Sequence, residues 1–176
     1  QLYTKLLEQG YDILSVHISS RLSGTLDSAI QAREMVKNGK ARISLVDTFG
    51  AGMAMGFPAL VAARAAMQGA TLEECRILAE NAVKHSGVFV VVPTLDFLHR
   101  GGRIGGAAAF VGSMLNLKPI IKLIDGKLDS VDKVRTFGKA VERMTELFLK
   151  DVDGRLPVRI AIHHANCPDD ARALLE

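Results

Sequence analysis

Two short runs of β-forming residues, separated by a segment of helical periodicity, constrain the fold of this chain most strongly. The runs are Asp12–Ile18 and Arg42–Asp47, and their apolar, β-branched composition is typical of strands. One face of the helix predicted between them is formed by Leu26, Ala29, Ile30 and Arg33. This order predicts a βαβ unit with parallel strands and a right-handed crossover.

Two further helices are predicted after this unit. They cover Met53–Met67 and Leu72–Lys84. Thr71 and Glu74 have the spacing of a capping box, in which each side chain accepts a hydrogen bond from the other residue's main chain. Thr71 is therefore predicted to be the N-cap of the second helix. We predict that residues 1–86 form a first α/β domain.

The pattern changes after Ser86, where we place a domain boundary. A buried strand is predicted over Val88–Val92, and the glycine-rich stretch Gly101–Gly106 leads into a helix predicted over Ala107–Leu115. The dipeptide Asp125-Gly126 lies between two β-rich runs, which is a strong signal for a hairpin. Those runs are Ile120–Ile124 and Leu128–Val134.

The rest of the chain adds three predicted elements. They are an amphipathic helix through Ala140, Val141, Met144, Leu147 and Phe148, a strand over Val158–Ile162, and a helix over Asp169–Leu175. We therefore predict that residues 87–176 form a second α/β domain with an antiparallel hairpin. The fold class is α/β, with a parallel βαβ unit in the first domain.

Composition excludes several classes of protein. Hydrophobic residues make up 48% of the chain, but Arg64 interrupts the longest apolar stretch, Gly52–Met67. A bilayer span needs about 18 or more apolar residues, so we expect no stable membrane insertion. The net charge of +3 is spread along the chain and aromatic residues make up only 5% of it, which disfavours nucleic-acid binding. Cys75 and Cys167 form no C-x-x-C pair, which indicates reduced thiols in a cytoplasmic protein.

The loop from His17 to Thr25 is the main candidate site. It joins the carboxyl end of a parallel strand to the start of a helix, where α/β sheets place ligands. Main-chain N–H groups and the helix dipole favour an anion there, such as a small carboxylate or phosphate. The same residues could instead cap the helix and end the strand, and spacing alone does not decide between the two roles. The residues concerned are Ser19, Ser20, Ser23, Gly24 and Thr25.

Two glycine-rich loops are weaker candidates. In Gly101–Gly106, paired glycines flank Arg103, whose guanidinium could meet a phosphate bidentately, although such glycines also suit a tight turn. Gly50–Gly56 opens a helix after a strand, and it supports an alternative function as a dinucleotide-dependent enzyme. Its glycine spacing is one residue longer than G-x-G-x-x-G, and close packing of a helix on the sheet explains it more simply.

No catalytic or metal-binding constellation is evident. His163 and His164 are adjacent at the end of a predicted strand, so they point to opposite faces and cannot jointly hold a metal. The sequence has no H-E-x-x-H or G-x-S-x-G pattern, and no nucleophile has an evident base. We therefore predict no catalytic residues and no metal, and a binding protein with no cofactor is the first hypothesis beside the alternative of a dinucleotide-dependent enzyme.

With these residues in place, the chain resembles the DegV family of bacterial fatty-acid-binding proteins. The resemblance rests on four ordered blocks: Ile18–Thr25 (ISSRLSGT), Val46–Thr48 (VDT), Pro93–Gly105 (PTLDFLHRGGRIG) and Lys133–Arg135 (KVR). It implies two α/β domains that bury the acyl chain of a palmitate-like fatty acid, with the carboxylate near the switch point of the first domain. It also implies a partner, a separate fatty acid kinase that makes acyl phosphate from the presented ligand.

The resemblance assigns roles to individual residues. The family's carboxylate-binding serine falls on Ser20. Arg103 matches the arginine of the Gly-Gly-Arg-Ile motif and Arg135 that of Lys-Val-Arg, and both imply kinase docking or phosphoryl contact. His164 matches a histidine in a late strand and is a candidate pocket residue.

The resemblance also leads us to expect a sequence that lacks both ends of the family's chain. The family's Asp-Ser-Thr strand and Thr-Ser-Gln-Pro segment would lie before Gln1, and its His-x-Gly-Pro-Gly segment after Glu176. We therefore expect only part of the carboxylate shell in this sequence.

Overall fold

The protein is described by a computed structural model over residues 1–110 and 117–176. The chain forms two compact units. Unit 1 comprises Gln1–Val88 and Leu123–Lys127, and unit 2 comprises Phe89–Lys122 and Leu128–Glu176. Unit 1 is thus built from two separate stretches of sequence. The division into domains at residues 86 and 87 stays a prediction.

Unit 1 contains a parallel pair of strands. The strands are β1 (Ile13–His17) and β2 (Ile43–Asp47), and the helices are α1 (Leu2–Glu8), α2 (Thr25–Glu34), α3 (Gly39–Arg42), α4 (Met53–Met67) and α5 (Leu72–Lys84). In the register, Ile13 lies opposite Ile43 and His17 opposite Asp47. The predicted parallel βαβ unit is confirmed. This register brings the carboxyl ends of both strands to one edge of the sheet.

The helices α4 and α5 cover the apolar face of this sheet and have the predicted bounds. The Thr71 hydroxyl accepts a hydrogen bond from the Glu74 N–H at 3.3 Å, and the Glu74 carboxylate accepts one from the Thr71 N–H at 2.8 Å, which confirms the capping box. The core between these helices and the sheet consists of Val46, Ala62, Cys75 and Ala79. Among the helices of the described residues, none has both the length and the apolarity that a bilayer span requires.

The second half of the chain contains an antiparallel sheet. Its elements are β3 (Phe89–Val91), α6 (Asp96–Arg100), a 3₁₀ helix (Gly105–Phe110), β4 (Lys118–Ile124), β5 (Lys127–Val134), α7 (Phe137–Val152) and α8 (Pro168–Leu175). The strand order is β3-β4-β5, and Val90 of β3 lies opposite Ile121 of β4. Asp125 and Gly126 have φ angles of 47° and 78°, as a two-residue hairpin turn requires. The predicted hairpin is therefore confirmed.

Two predictions in this half need correction. The strand predicted over Val158–Ile162 is wrong: the segment pairs with no strand in the described part of the chain, and Ile160 is 62% exposed. Alternating apolar residues fit a strand, but a strand exists only with a hydrogen-bonding neighbour. The helix predicted over Ala107–Leu115 is a 3₁₀ helix over Gly105–Phe110, and the prediction for residues 111–115 lies outside the described residues.

Candidate functional site

Hydrogen bonds to a buried threonine and between main-chain groups join the loops after β1 and β2. Thr48 is 3% exposed, and its hydroxyl donates to the His17 carbonyl at 2.7 Å. The Gly50 N–H donates to the Thr48 hydroxyl oxygen at 3.2 Å, and the Ser19 N–H donates to the Gly50 carbonyl at 2.9 Å. The two loops therefore form one connected structure at the carboxyl edge of the parallel sheet.

Ser19 is fully buried in this structure. Its hydroxyl donates to the Gly126 carbonyl at 2.8 Å and accepts a hydrogen bond from the Arg21 N–H at 3.1 Å. Its carbonyl accepts hydrogen bonds from the N–H groups of Leu22 and Ser23, at 3.0 and 3.1 Å. These bonds fix the loop. Direct contact of Ser19 with a carboxylate stays a prediction, and the burial of this residue disfavours it.

Ser20 lies at the same turn in a different environment. It is half-buried, and its hydroxyl makes no hydrogen bond within residues 1–110 and 117–176. Its N–H donates to both carboxylate oxygens of Asp47, at 3.3 Å each, and Asp47 also accepts the Phe49 N–H at 2.9 Å. A side chain of the protein thus already occupies the Ser20 N–H, whereas the Ser20 hydroxyl can donate to a ligand.

Ser23, Gly24 and Thr25 form the start of α2. The Ser23 hydroxyl accepts a weak hydrogen bond from the Thr25 N–H at 3.4 Å, and the Gly24 carbonyl accepts one from the Ser28 hydroxyl at 3.1 Å. The N-cap of α2 is Gly24, and no side chain forms a capping hydrogen bond there, so the alternative role of these residues as a helix cap is not confirmed. A carboxylate contact at these three residues stays a prediction.

Hydrogen bonds link polar side chains of α1 and β1. The Tyr3 hydroxyl donates to the Ser15 hydroxyl at 2.8 Å, and Ser15 lies 2.8 Å from Nε2 of His17. Burial lowers the pKa of His17, and the Asp47 carboxylate acts in the opposite sense. A pKa below the ordinary value leaves the ring mainly neutral at pH 7.

A cavity of about 450 Å³ lies in unit 1 between β1 and the helices α4 and α5. Leu14 and Val16 reach it from the same face of β1, because alternate strand residues share a face. The other lining residues are Asp12, Ala59, Ala62, Ala63, Ala66, Ala70, Thr71, Leu72 and Cys75. Its volume is within the range of about 300–1,000 Å³ that small-molecule sites have. The small side chains of α4 leave a mostly apolar space.

Three other predicted site residues lie in unit 2. Arg103 is exposed and donates to the Gly101 carbonyl, and Arg135 is exposed just after β5. His164 is exposed, and its Nδ1 accepts a hydrogen bond from the Cys167 N–H at 3.3 Å. None of the three lines the cavity of unit 1. Their predicted roles stay predictions.

The glycine turn Gly50–Gly56 has a packing explanation. The Gly50 N–H is directed to Thr48, and a Cβ atom at Gly50 would lie 3.1 Å from the main chain of Ala54. A larger residue would therefore push the start of α4 away from the loop. This geometry gives no support to the dinucleotide alternative. Within the described residues, no cluster of three or more His, Cys, Asp or Glu side chains could hold a metal ion.

Fold and site together define a class of protein. It is a two-unit α/β protein in which a serine-rich loop at the carboxyl edge of a parallel strand pair shares its unit with a mostly apolar cavity. A sequence model of the DegV family, described as a family of uncharacterised proteins, matches residues 1–176. The chain belongs to the DegV family.

Relatives of known sequence and structure support the same assignment. A DegV domain-containing protein of Streptomyces coelicolor is 41% identical over 177 residues, which is 100% of this chain and 62% of the relative. DegV of Bacillus subtilis, a fatty acid binding protein, is 35% identical with a TM-score of 0.83, over 99% of this chain and 61% of that one. A fatty acid binding DegV family protein of Thermus thermophilus is 37% identical with a TM-score of 0.77, over 88% and 54%. The chain thus spans less than two thirds of these relatives.

Several residues of this site were not assigned a role from the sequence. The sequence indicates Asp47 and Thr48 only as part of a motif and Gly126 only as a turn residue. The one available signal is their position: Asp47 ends the second parallel strand and Thr48 follows it, at the edge where ligand loops gather. Nothing local to Gly126 indicates its contact with Ser19, 107 residues away.

Proposed function

We propose that this protein is a cytoplasmic binding protein for a long-chain fatty acid, with the Ser20 hydroxyl as a donor to the carboxylate and the cavity of unit 1 as the acyl-chain site. The observation that carries the proposal is the placement of a serine hydroxyl with no partner in the described residues in the same unit as a mostly apolar cavity of about 450 Å³. The fatty acid binding of the Bacillus subtilis and Thermus thermophilus relatives supports it.

The carboxylate and the acyl chain of the ligand contribute to binding in different ways. Each methylene removed from water contributes about 0.8 kcal/mol, so the apolar lining supplies most of the affinity. A hydrogen bond to a charged carboxylate contributes about 1.5–3 kcal/mol and orients the ligand. The lining is aliphatic and the chain contains no Trp, which suits a flexible hydrocarbon better than a flat aromatic ligand.

We further propose that the bound fatty acid is presented to a separate fatty acid kinase, which forms acyl phosphate. The protein itself then needs no catalytic residue. Arg103 and Arg135 are the proposed contacts to the kinase or to the transferred phosphoryl group, because both are exposed and a guanidinium binds phosphate bidentately.

The direct test is native mass spectrometry of the purified protein. We expect an adduct with the mass of a long-chain fatty acid, and lipid extraction should identify the acid. Denaturing spectra should lack the adduct, because the ligand is held without a covalent bond. A protein that carries only a nucleotide, or that takes up no fatty acid on incubation, contradicts the proposal.

Substitution of two neighbouring serines tests where the carboxylate lies. Ser20→Ala should weaken fatty-acid binding by about 1.5–3 kcal/mol, the value of a hydrogen bond to a charged group. Ser23→Ala should change the affinity little, because the Ser23 hydroxyl contacts the start of α2. Displacement of a fluorescent fatty acid measures both affinities, and thermal melting confirms that both variants are folded. A larger loss in Ser23→Ala than in Ser20→Ala would show that the carboxylate is assigned to the wrong residue.

A further inference from the structure

One buried hydrogen bond fastens the Ser19-Ser20 turn to a distant part of the chain. The Ser19 hydroxyl donates to the carbonyl of Gly126, at the tip of the β4–β5 hairpin. This bond belongs neither to strand pairing nor to a helix cap. We propose that Ser19 is a positioning residue: its bond to Gly126 fixes the direction in which the next residue, Ser20, presents its hydroxyl to a ligand carboxylate. This inference rests on the proposed function.

The two adjacent serines differ in what their polar atoms contact. The N–H, the carbonyl and the hydroxyl of Ser19 are all engaged by protein groups. The hydroxyl of Ser20 contacts none in the described part of the chain. Because the main chain and the side chain of Ser19 are both held, the Cα atom of Ser20 is held too. Ser19 thus fixes the position of the main chain, and the hydroxyl of Ser20 is available to the ligand.

The hairpin tip fits closely against this turn. Gly126 has a φ of 78°, and a Cβ atom there would overlap the Ser19 hydroxyl and lie 3.0 Å from Cδ1 of Phe49. It would also lie 3.3 Å from Cγ of Arg21. Glycine at this position is therefore required by the contact with Ser19 as well as by the turn.

Asp47 holds Ser20 from the other side. Its carboxylate accepts the N–H groups of Ser20 and Phe49, and the Phe49 ring lies beside Gly126. Phe49 has a φ of 45°, which is unusual for a residue with a side chain and indicates a loop held by its surroundings. The Ser20 N–H is thus bonded to the Asp47 carboxylate, while the residues before and after it, Ser19 and Arg21, both lie close to Gly126.

A double-mutant cycle tests the proposal, with a long-chain fatty acid and the alcohol of equal chain length as ligands. Ser19→Ala should weaken binding of the acid on the order of tenfold, because the support of a charge-binding hydroxyl is lost. The alcohol, which has no charge to bind, should lose less than about twofold. In a Ser20→Ala background, adding Ser19→Ala should change the affinity for the acid by less than about twofold, because no hydroxyl remains to be positioned.

Matched controls separate positioning from general loss of stability. Ser86→Ala also removes a hydroxyl bonded to a main-chain carbonyl, at 2.9 Å from Ala82, and should leave the ratio of acid to alcohol affinity unchanged. Gly126→Ala should lower that ratio as Ser19→Ala does. Gly69→Ala should not, because Gly69 has a similar φ of 89° but nothing within 4 Å of the added Cβ. These glycine variants provide the answer if Ser19→Ala fails to fold.

The outcomes distinguish this inference from the function on which it rests. Equal losses for acid and alcohol, or losses that add in the double variant, overturn the positioning role and make Ser19 a structural residue. The positioning role is also overturned if Ser20→Ala weakens acid binding and folded Ser19→Ala does not. A wild-type protein that binds neither ligand overturns the proposed function itself.

Discussion

Replacement of Ala59 by phenylalanine should weaken binding of a long-chain fatty acid about a hundredfold. Ala59 is half-buried on α4 and lines the cavity of unit 1, so an aromatic ring there occupies part of the proposed acyl-chain site. If the ring displaces four methylenes from the cavity, the binding free energy weakens by about 3 kcal/mol, at about 0.8 kcal/mol for each methylene. That loss corresponds to a factor of about one hundred in the dissociation constant.

The affinities of two fatty acids of different chain length test this prediction. An acid four methylenes shorter should bind the Ala59→Phe variant and the wild type almost equally, because the part of the tail that the ring displaces is missing. Leu60→Phe is the matched control, since Leu60 is the next residue on α4, is 42% exposed and does not line the cavity. If both acids lose affinity to the same extent, the acyl chain lies elsewhere.

Arg103→Ala should reduce kinase-coupled formation of acyl phosphate about 10- to 100-fold while fatty-acid affinity stays nearly constant. The loss corresponds to removal of one charged contact to the kinase or the phosphoryl group, worth about 1.5–3 kcal/mol. The affinity should survive because Ser20 and the cavity lie in unit 1, whereas Arg103 lies in unit 2. Arg103→Lys should restore only part of the rate, because an ammonium group lacks the planar fork of a guanidinium.

The control for this experiment is Arg100→Ala, which removes an exposed arginine three residues earlier at the end of α6. It should leave both binding and turnover near the wild-type values. A structural role for Arg103 predicts a different result for Arg103→Ala: a lower melting temperature together with equal losses in binding and turnover. Stability, binding and turnover measured on the same preparation separate the two roles.

The elements that could be predicted from the sequence are those whose signals are local. Thr71 and Glu74 mark the start of α5 through a capping box, and Asp125-Gly126 marks the hairpin through its turn chemistry. Both depend on residues within a few positions of each other. The strand predicted over Val158–Ile162 failed for the opposite reason, because its alternating pattern cannot show whether a partner strand is present.

The candidate site was predictable in position but not in detail. Strand and helix order placed it at the loop after β1, which the structure joins to the loop after β2. The different environments of Ser19 and Ser20 could not be predicted, because the two serines are neighbours with the same side chain. Their difference comes from Asp47 and Gly126, which reach the loop from positions 27 and 107 residues later in the sequence.

The hairpin tip also limits how this protein can be divided or recombined. Unit 1 is discontinuous in sequence, since Leu123–Lys127 belongs to it although the flanking residues belong to unit 2. A piece that ends at Val88 would lack Gly126 and leave the Ser19 hydroxyl without its acceptor. Unit 1 therefore cannot be transferred to a fusion protein as one continuous segment. The loop that contains Ser19 and Ser20 therefore depends on a hairpin more than a hundred residues later in the sequence.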